Sequence, residues 1–452
     1  MRVRRLCTLV CVLAMLFALA PIRAGCASDA VTQDEASELL DAQSRSEYAL
    51  LIGVDHFVSR ADTYPSSTNN VNAMQEVFQG ALNPFRAIIV PPNPVTTVEQ
   101  LTALVQKTFG AAGKNDVCYL YLSTHGVYDP ASGQEPLLLL SDGQTENGIT
   151  PAQLEAAFDG ILGTKVIILD ACNSGAFIGK GLPSLPQEVH FLGDDFKVLT
   201  SSGALEESWY WSVDDQNESG MAGQGSFYFT QALAQSLSAA YGYPADQNRD
   251  GCVVLSELYE YLVLNHAAST PQVYPQSDDF VVFRYDVSQP LPTGLARAPI
   301  MDVTFSGTTL SRSSRQITIE FIAMRPVRVA YQVVYQRDGK WEFEHAQLIY
   351  DEAERFTAYG DQPGAISAGR KVRTLTLGEL DEGVYGYAMV QLVTIDQGKL
   401  TVHAGRVISI PPDATDMVLT ASVADTFDPS GGRELSIFIG HEYPCALSVS
   451  IL

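Results

Sequence analysis

Two short stretches carry the reactive side chains of this 452-residue chain. The apolar run Val117-Cys118-Tyr119-Leu120-Tyr121-Leu122 ends in Ser123-Thr124-His125-Gly126, and Val166-Ile167-Ile168-Leu169 ends in Asp170-Ala171-Cys172-Asn173-Ser174-Gly175. An imidazole and a thiol leaving one edge of a sheet suit acyl transfer. A free thiol is mostly protonated at neutral pH, and a neighbouring imidazole can take its proton and later give one to a leaving amine. Gly126, having no side chain, lets backbone N–H groups approach a developing oxyanion. Either residue alone reads more readily as a core cysteine or a satisfied strand-end histidine, but their joint placement favours chemistry. His56, after the run Ala49 to Val54, is a rival histidine that lacks the following glycine and the adjacent strand. Cys118 sits mid-strand and reads as core.

The elements that must position this pair are legible in the pattern. Ala49 to Val54, Ala87 to Val90, Val117 to Leu122, Val166 to Leu169 and Phe196 to Leu199 read as buried parallel strands. Between them, Val71, Met74, Val77 and Phe78 share a helical face, as do Val98, Leu101, Leu104 and Val105, and Leu154, Ala157, Phe158 and Ile161. Thr97 before Gln100, and Thr150 before Pro151 and Gln153, mark two helix starts. The expectation for residues 48–287 is an α/β sheet sandwiched by helices, with ligands collecting beyond the carboxyl ends of its strands. Residues 288–299, with Pro290, Pro292 and Gly294, read as a linker. Over 300–412 the period becomes that of strands: Ile317 to Phe321, Val327 to Tyr335, Trp341 to Phe343, Arg373 to Leu377, Val384 to Ile395 and Leu400 to Ile410, with an Asp338-Gly339 turn. This predicts an all-β, immunoglobulin-like sandwich. Residues 413–452 read as a further β unit that stops inside an apolar strand.

The chain has 28 Lys+Arg against 52 Asp+Glu, a net charge of −24, and offers no basic stripe to a nucleic acid. A hydrophobic content of 46% excludes a disordered chain. Three arginines before the apolar run Leu6 to Ala20 read as an export signal over residues 1–25, too short to leave a transmembrane helix in the mature chain. After it, either Cys26 carries a lipid anchor or the chain is cut near Ala24 or Ala27. Residues 26–47 form an acidic linker or pro-segment. The expected location is therefore secreted or attached to the cell surface. The cysteines outside the signal (Cys26, Cys118, Cys172, Cys252, Cys445) show no disulfide framework and no zinc spacing.

The order Leu50-Leu51-Ile52-Gly53-Val54, Ser123-Thr124-His125-Gly126 and Asp170-Ala171-Cys172-Asn173-Ser174-Gly175 resembles the caspase-like cysteine peptidases, especially metacaspase-type and clostripain-type members. Gly225 to Leu233 is similar to the segment that opens a late helix in caspases. The resemblance spans Tyr48 to Val287 and implies a caspase–hemoglobinase fold acting on a protein or peptide substrate. It implies Cys172 as nucleophile, His125 as general acid/base, and the N–H groups of Gly126 and Cys172 as oxyanion hole.

Asp170 lies two residues before Cys172 and tends to project to the same side. In arginine- or lysine-specific relatives an acidic residue here pairs with the substrate cation, so cleavage after Arg or Lys is expected; the bland alternative is a carboxylate that only accepts hydrogen bonds at the loop. Metacaspases carry a second pocket aspartate in an Asn-Asp-Ala motif on the first helix, and Asn72 stands at that position here. Arg60 is the candidate for the opposite, acidic preference. Ser201 and Ser202 are similar to the segment that pairs with substrate backbone, and Glu207, Ser208 and Trp209 are placed along the next pocket. Relatives that cut themselves suggest self-cleavage after Lys180, in the Gly- and Pro-containing stretch 179–186.

Asp246 to Glu257 fits a twelve-residue calcium loop: oxygen ligands Asp246, Asn248, Asp250 and Glu257, the Cys252 carbonyl, and Gly251 at the turn. Its alternative is a solvated acidic turn capping the next helix. The second functional reading is a catalytically silent surface protein whose β-sandwich binds a cell-surface partner.

Overall fold

The computed structural model describes residues 45–452 apart from 182–188, 215–219, 266–267, 308–314, 338–339, 378–385, 411–418, 424–436 and 442–452. The expected export signal with Cys26, the acidic segment up to residue 44, the Asp338-Gly339 turn, and Cys445 with most of the last β unit lie outside the described residues.

The first part runs β1 (Glu47–Gly53), α1 (Ser66–Gln79), β2 (Ala87–Ile89), α2 (Val98–Phe109), β3 (Val117–Ser123), β4 (Gly126–Val127), β5 (Leu137–Ser141), β6 (Glu146–Ile149), α3 (Pro151–Ala156), β7 (Thr164–Asp170), β8 (Phe196–Thr200), β9 (Tyr210–Ser212), β10 (Gly225–Phe227), α4 (Tyr228–Ser236), β11 (Cys252–Val254), α5 (Leu255–Asn265), β12 (Gln272–Tyr274) and β13 (Val281–Arg284). The central sheet has the order β12-β8-β7-β3-β1-β2. Its five expected strands pair in parallel, while β12 closes the edge antiparallel to β8. The sheet is therefore mixed. At three residues, β12 is too short to leave a periodic signal.

Alternation along β1 explains why both faces are covered. Tyr48, Leu50 and Ile52 enter one core with Leu101 and Val105 of α2 and Leu154 of α3. Ala49 and Leu51 enter the other with Val71 and Met74 of α1, Leu233 of α4 and Leu258 of α5. Thr97 accepts the Gln100 N–H, and Thr150 and Gln153 complete a reciprocal capping box. The helix expected to reach Ile161 ends at Ala156 and continues as turns.

The second part contains β14 (Ile300–Ser306), β15 (Gln316–Ala323), β16 (Val327–Arg337), β17 (Lys340–Trp341), β18 (Gln347–Tyr350), β19 (Ala365–Ile366), β20 (Gly369–Thr376), β21 (Gly386–Asp396), β22 (Lys399–Ile410), β23 (Leu419–Val423) and β24 (Ile437–His441). The expected strand Trp341 to Phe343 is instead the last residue of β17 followed by a 3-10 turn at Phe343–His345. One sheet, β14-β15-β20, shares a core with a sheet built on β16, β21 and β22 through Ile319, Phe321, Tyr331, Val390 and Leu392. The opposite face of that second sheet is buried as well. Ala330, Val334, Met389 and Val393 pack with Trp211, Val213, Met221 and Tyr228 of the first part.

Polar ties register this contact: Gln391 Nε2 donates to the Tyr228 hydroxyl at 3.0 Å, and Gln231 and Gln235 donate to the carbonyls of Val402 and His403. Gly405 lies so close to Tyr228 that a Cβ there would sit 2.6 Å from a ring carbon. Gly405→Ala is therefore expected to cost roughly 1–3 kcal/mol through overpacking. Urea unfolding measures it, and an unchanged midpoint would show that the contact yields freely.

Candidate active site

The parallel register of β3 and β7 pairs Ser123 with Asp170, so His125 and Cys172 each emerge two residues past the same rung. The Thr124 N–H, donating to the Asp170 carbonyl at 3.1 Å, extends the pairing by one step. Both side chains line an open cleft of about 960 Å³, room for several residues of an extended peptide. Gly126 is required by contact: an added Cβ would lie 1.7 Å from the Cys172 carbonyl oxygen. The two loops touch main chain to main chain, with the N–H-bearing residues Gly126 and Cys172 together at the cleft.

His125 Nε2 lies 2.9 Å from the Ala61 carbonyl, so this nitrogen carries the proton and Nδ1 keeps its lone pair. Phe57 packs against the ring, with centroids 4.5 Å apart, and Tyr210 meets it edge-on at 5.8 Å. Burial lowers the imidazole below the usual 6.5, only partly opposed by the Ala61 hydrogen bond. The Cys172 thiol is pushed up to about 12 by burial, with the Glu207 charge adding to it. The resting pair is therefore a neutral imidazole and a neutral thiol. Cys172 Sγ accepts the Ser208 N–H at 3.3 Å and faces the Ser208 carbonyl at 3.5 Å. Beyond it, Asn173 takes a left-handed conformation, φ 57°, and turns the chain into the 3-10 segment Ser174–Ile178.

The loop that carries Arg60 and Ala61 is tied at several points. Asp55 accepts the N–H groups of Ser67 and Thr68, capping α1. Asp62 accepts the Phe57 N–H, and Glu146 accepts from Val58 N–H and the Ser59 hydroxyl. The loop thus presents a fixed carbonyl to His125. Nothing in the sequence marked it, because a backbone acceptor has no residue type.

Several expected site residues sit elsewhere. Asp170 is fully buried beneath the cleft and is not part of its lining. Its oxygens accept from the Ser208 hydroxyl at 3.1 Å and from the Thr230 N–H and hydroxyl at 3.2 and 2.5 Å. Burial raises its carboxyl to about 6 despite these donors. Ser201 and Ser202 are buried and do not line the cleft: their hydroxyls donate to the Ala171 carbonyl, satisfying the buried main chain behind Cys172. Asn72 is exposed on α1 and takes no part. The inward asparagine is Asn70, which donates to Ser123 and accepts from the Ser226 hydroxyl and the Phe227 N–H. Its place on the stripe with Met74 and Val77 was the available signal. His56 is exposed, hydrogen-bonded to Asp62 and stacked on Tyr64. Arg60, Glu207, Ser208 and Trp209 do line the cleft, as do Gln336 and Trp341 from the second part. Lys180 is half-buried, its N–H donating to Gly175 and its carbonyl accepting from Ala204.

The Asp246–Glu257 loop has left-handed residues at Arg249 and Gly251. Its hard oxygen donors suit calcium, but Asp246 is buried and accepts from Arg249 N–H, Gly251 N–H and the Tyr285 hydroxyl. Asp250 accepts from Cys252 N–H and Glu257 from Val254 N–H. Among the described residues, no three His, Cys, Asp or Glu side chains gather as a metal cluster. The donor chemistry fits the ion, and carboxylate oxygens that accept the loop's own N–H groups keep a further lone pair for a cation.

A family model described as Caspase domain matches residues 46–399. Among solved structures, the chain is similar to caspase-1 from Spodoptera frugiperda, at 16% identity and TM-score 0.35 over 53% of this chain and 93% of that one. It is also similar to protein GSU0716 from Geobacter sulfurreducens, at 15% identity and TM-score 0.37 over 53% of this chain and all of that one. No curated protein matches.

Gly126→Ala is expected to force the two loops apart and slow any reaction at Cys172 by about 100-fold or more. The rate of labelling by a peptide-mimicking electrophile reads this. Wild-type labelling in the variant would mean that the loop contact is dispensable.

Proposed function

The chain belongs to the caspase-domain family of cysteine endopeptidases, and from that premise we propose that it hydrolyses peptide bonds with a Cys172–His125 dyad. The observation that carries the reading is the shared rung of β3 and β7, which sends both side chains into one cleft. As substrate enters, His125 Nδ1 takes the thiol proton, the sulfur bonds to the scissile carbonyl carbon, and the oxyanion is met by N–H groups of the Gly126 and Cys172 loops. The imidazolium then gives its proton to the leaving amine as the C–N bond breaks. Water attacks the thioester with the same imidazole as base, which restores the thiol.

The preferred specificity is cleavage after Arg or Lys, supported by the acidity of the cleft, which Asp62, Asp129 and Glu207 line with Arg60 as the one cation among its described lining residues. A second reading rests on Arg60 itself. Its charge acts on both Cys172 and His125, a setting that would accept a substrate carboxylate. Fluorogenic peptides ending in Arg, Lys, Asp or Ala separate the two. Cys172→Ala should abolish turnover of every peptide, and its persistence would end the dyad assignment. Because burial lowers the His125 pKa, the base form persists below pH 6.5, so kcat/KM should stay level through that value and fall only under it. An acid limb above pH 6.5 would contradict this.

Around this chemistry we further propose export by residues 1–25, lipid attachment at Cys26 or release, and an immunoglobulin-like role for residues 300–412 in recognition, supported by two sheets sharing one core. Self-processing after Lys180 is checked by the mass of the purified wild type against Cys172→Ala. Calcium would be held by Asp246, Asn248, Asp250, the Cys252 carbonyl and Glu257, stabilising the chain by mass action. At 100 times its dissociation constant it should add about 2.7 kcal/mol. Thermal unfolding in millimolar calcium against chelator reads the gain, and identical midpoints would remove calcium from the reading.

A further inference from the structure

The wall of the cleft is not built by the α/β part alone. The hairpin of β16 and β17 pairs Gln336 with Trp341 and brings both to the space that Cys172 and His125 face. There Trp341 meets Trp209, with ring centroids 6.0 Å apart and planes at 63°. Tyr387 of β21 backs Trp209 edge-on at 4.6 Å. Two half-buried indoles at that angle form an open corner rather than a closed stack.

A carboxylate shares this corner. Glu207, Ser208 and Trp209 all reach the cleft; the Ser208 hydroxyl is tied to Asp170, which leaves the Glu207 and Trp209 side chains to face the space. Glu207 is exposed there, and its charge raises both the Cys172 thiol and the Tyr387 phenol, so it lies near the nucleophile and the aromatic group at once.

We propose that Trp341, with Trp209 and Glu207, forms a subsite for a lysine or arginine side chain of the substrate beside the scissile bond. Indole faces attract a cation, and more so next to a carboxylate in a partly desolvated corner. A substrate carboxylate would meet Glu207 and the negative ring faces, and an apolar side chain would gain neither the cation–ring nor the carboxylate attraction. Arg60 is the cation that offsets Glu207 in the free protein, and a substrate cation would take over that role. The proposal rests on the peptidase reading and its basic preference, but moves the recognising carboxylate from Asp170 to Glu207 and makes the β-rich part a participant in specificity.

The test uses the full chain carrying Cys172→Ala, so that binding is read without turnover. Otherwise identical peptides with lysine, norleucine or glutamate, scanned through the positions flanking the cut, are titrated by calorimetry. Lysine should bind about tenfold tighter than norleucine at one position, and glutamate weakest. Glu207→Gln and Trp341→Ala should each bring the lysine-to-norleucine ratio towards one, whereas Trp341→Phe, which keeps an aromatic face, should retain most of it. A parent ratio near one, or a ratio that survives both Glu207→Gln and Trp341→Ala, overturns the proposal. If Trp341→Ala does not fold, Glu207→Gln and Trp341→Phe carry the decision. The wild type is then given the same peptides. Cleavage without charge preference defeats the subsite and leaves the peptidase, while charge-selective binding without cleavage defeats the peptidase and leaves the subsite.

Discussion

The carbonyl of Cys172 occupies the space where a side chain at residue 126 would begin, and the arrangement of the cleft follows from that exclusion. Two parallel strands in register deliver their ends side by side, but only a missing Cβ lets the loops beyond them close to main-chain contact. With that contact made, the imidazole and thiol need no large reach to share one space. The remaining hydrogen bonds hold each loop from its other side: the Ala61 carbonyl on His125, and Ser201, Ser202 and Asn173 around the Cys172 turn.

A second layer keeps the site neutral at rest. Asp170 is the ionisable group nearest Cys172 in sequence, yet it is withdrawn under Ser208 and satisfied by hydroxyl and amide donors. The Ser208 main chain in turn lies on the thiol. Burial acts in opposite senses on the two reactive groups, lowering the imidazole and raising the thiol, and so disfavours a preformed ion pair.

How much of this was legible follows from where each signal resides. The strands β1, β3, β7 and β8 could be read because continuous apolar runs ended in polar punctuation, and the caps at Thr97 and Thr150 because their partners lie three residues on. His125, Gly126 and Cys172 could be read because chemistry attaches to their residue types. Ser201, Ser202 and Asp170 could not be placed by type, since a buried hydroxyl or carboxylate bonded to main chain looks in sequence like one aimed at substrate. The motif match points to Asn72, whereas the inward position belongs to Asn70, which only the helical stripe with Met74 and Val77 marks. Trp341 was beyond reach altogether: it lies 169 positions from Cys172 and in a part read as separate, and only packing joins the two.

The sheet of β16, β21 and β22 is covered on both faces, by its own sandwich partner on one side and by Trp211, Val213, Met221 and Tyr228 on the other. Such a strand layer cannot be exchanged as a cassette. A chain shortened after Val287 would present Trp211 and Tyr228 to water, and a transplanted β part would carry an apolar wall without its match. Recombination that swaps recognition modules freely in loosely tethered proteins would here create sticky halves, so the two parts are bound to change together, each substitution on one side judged by its fit to the other.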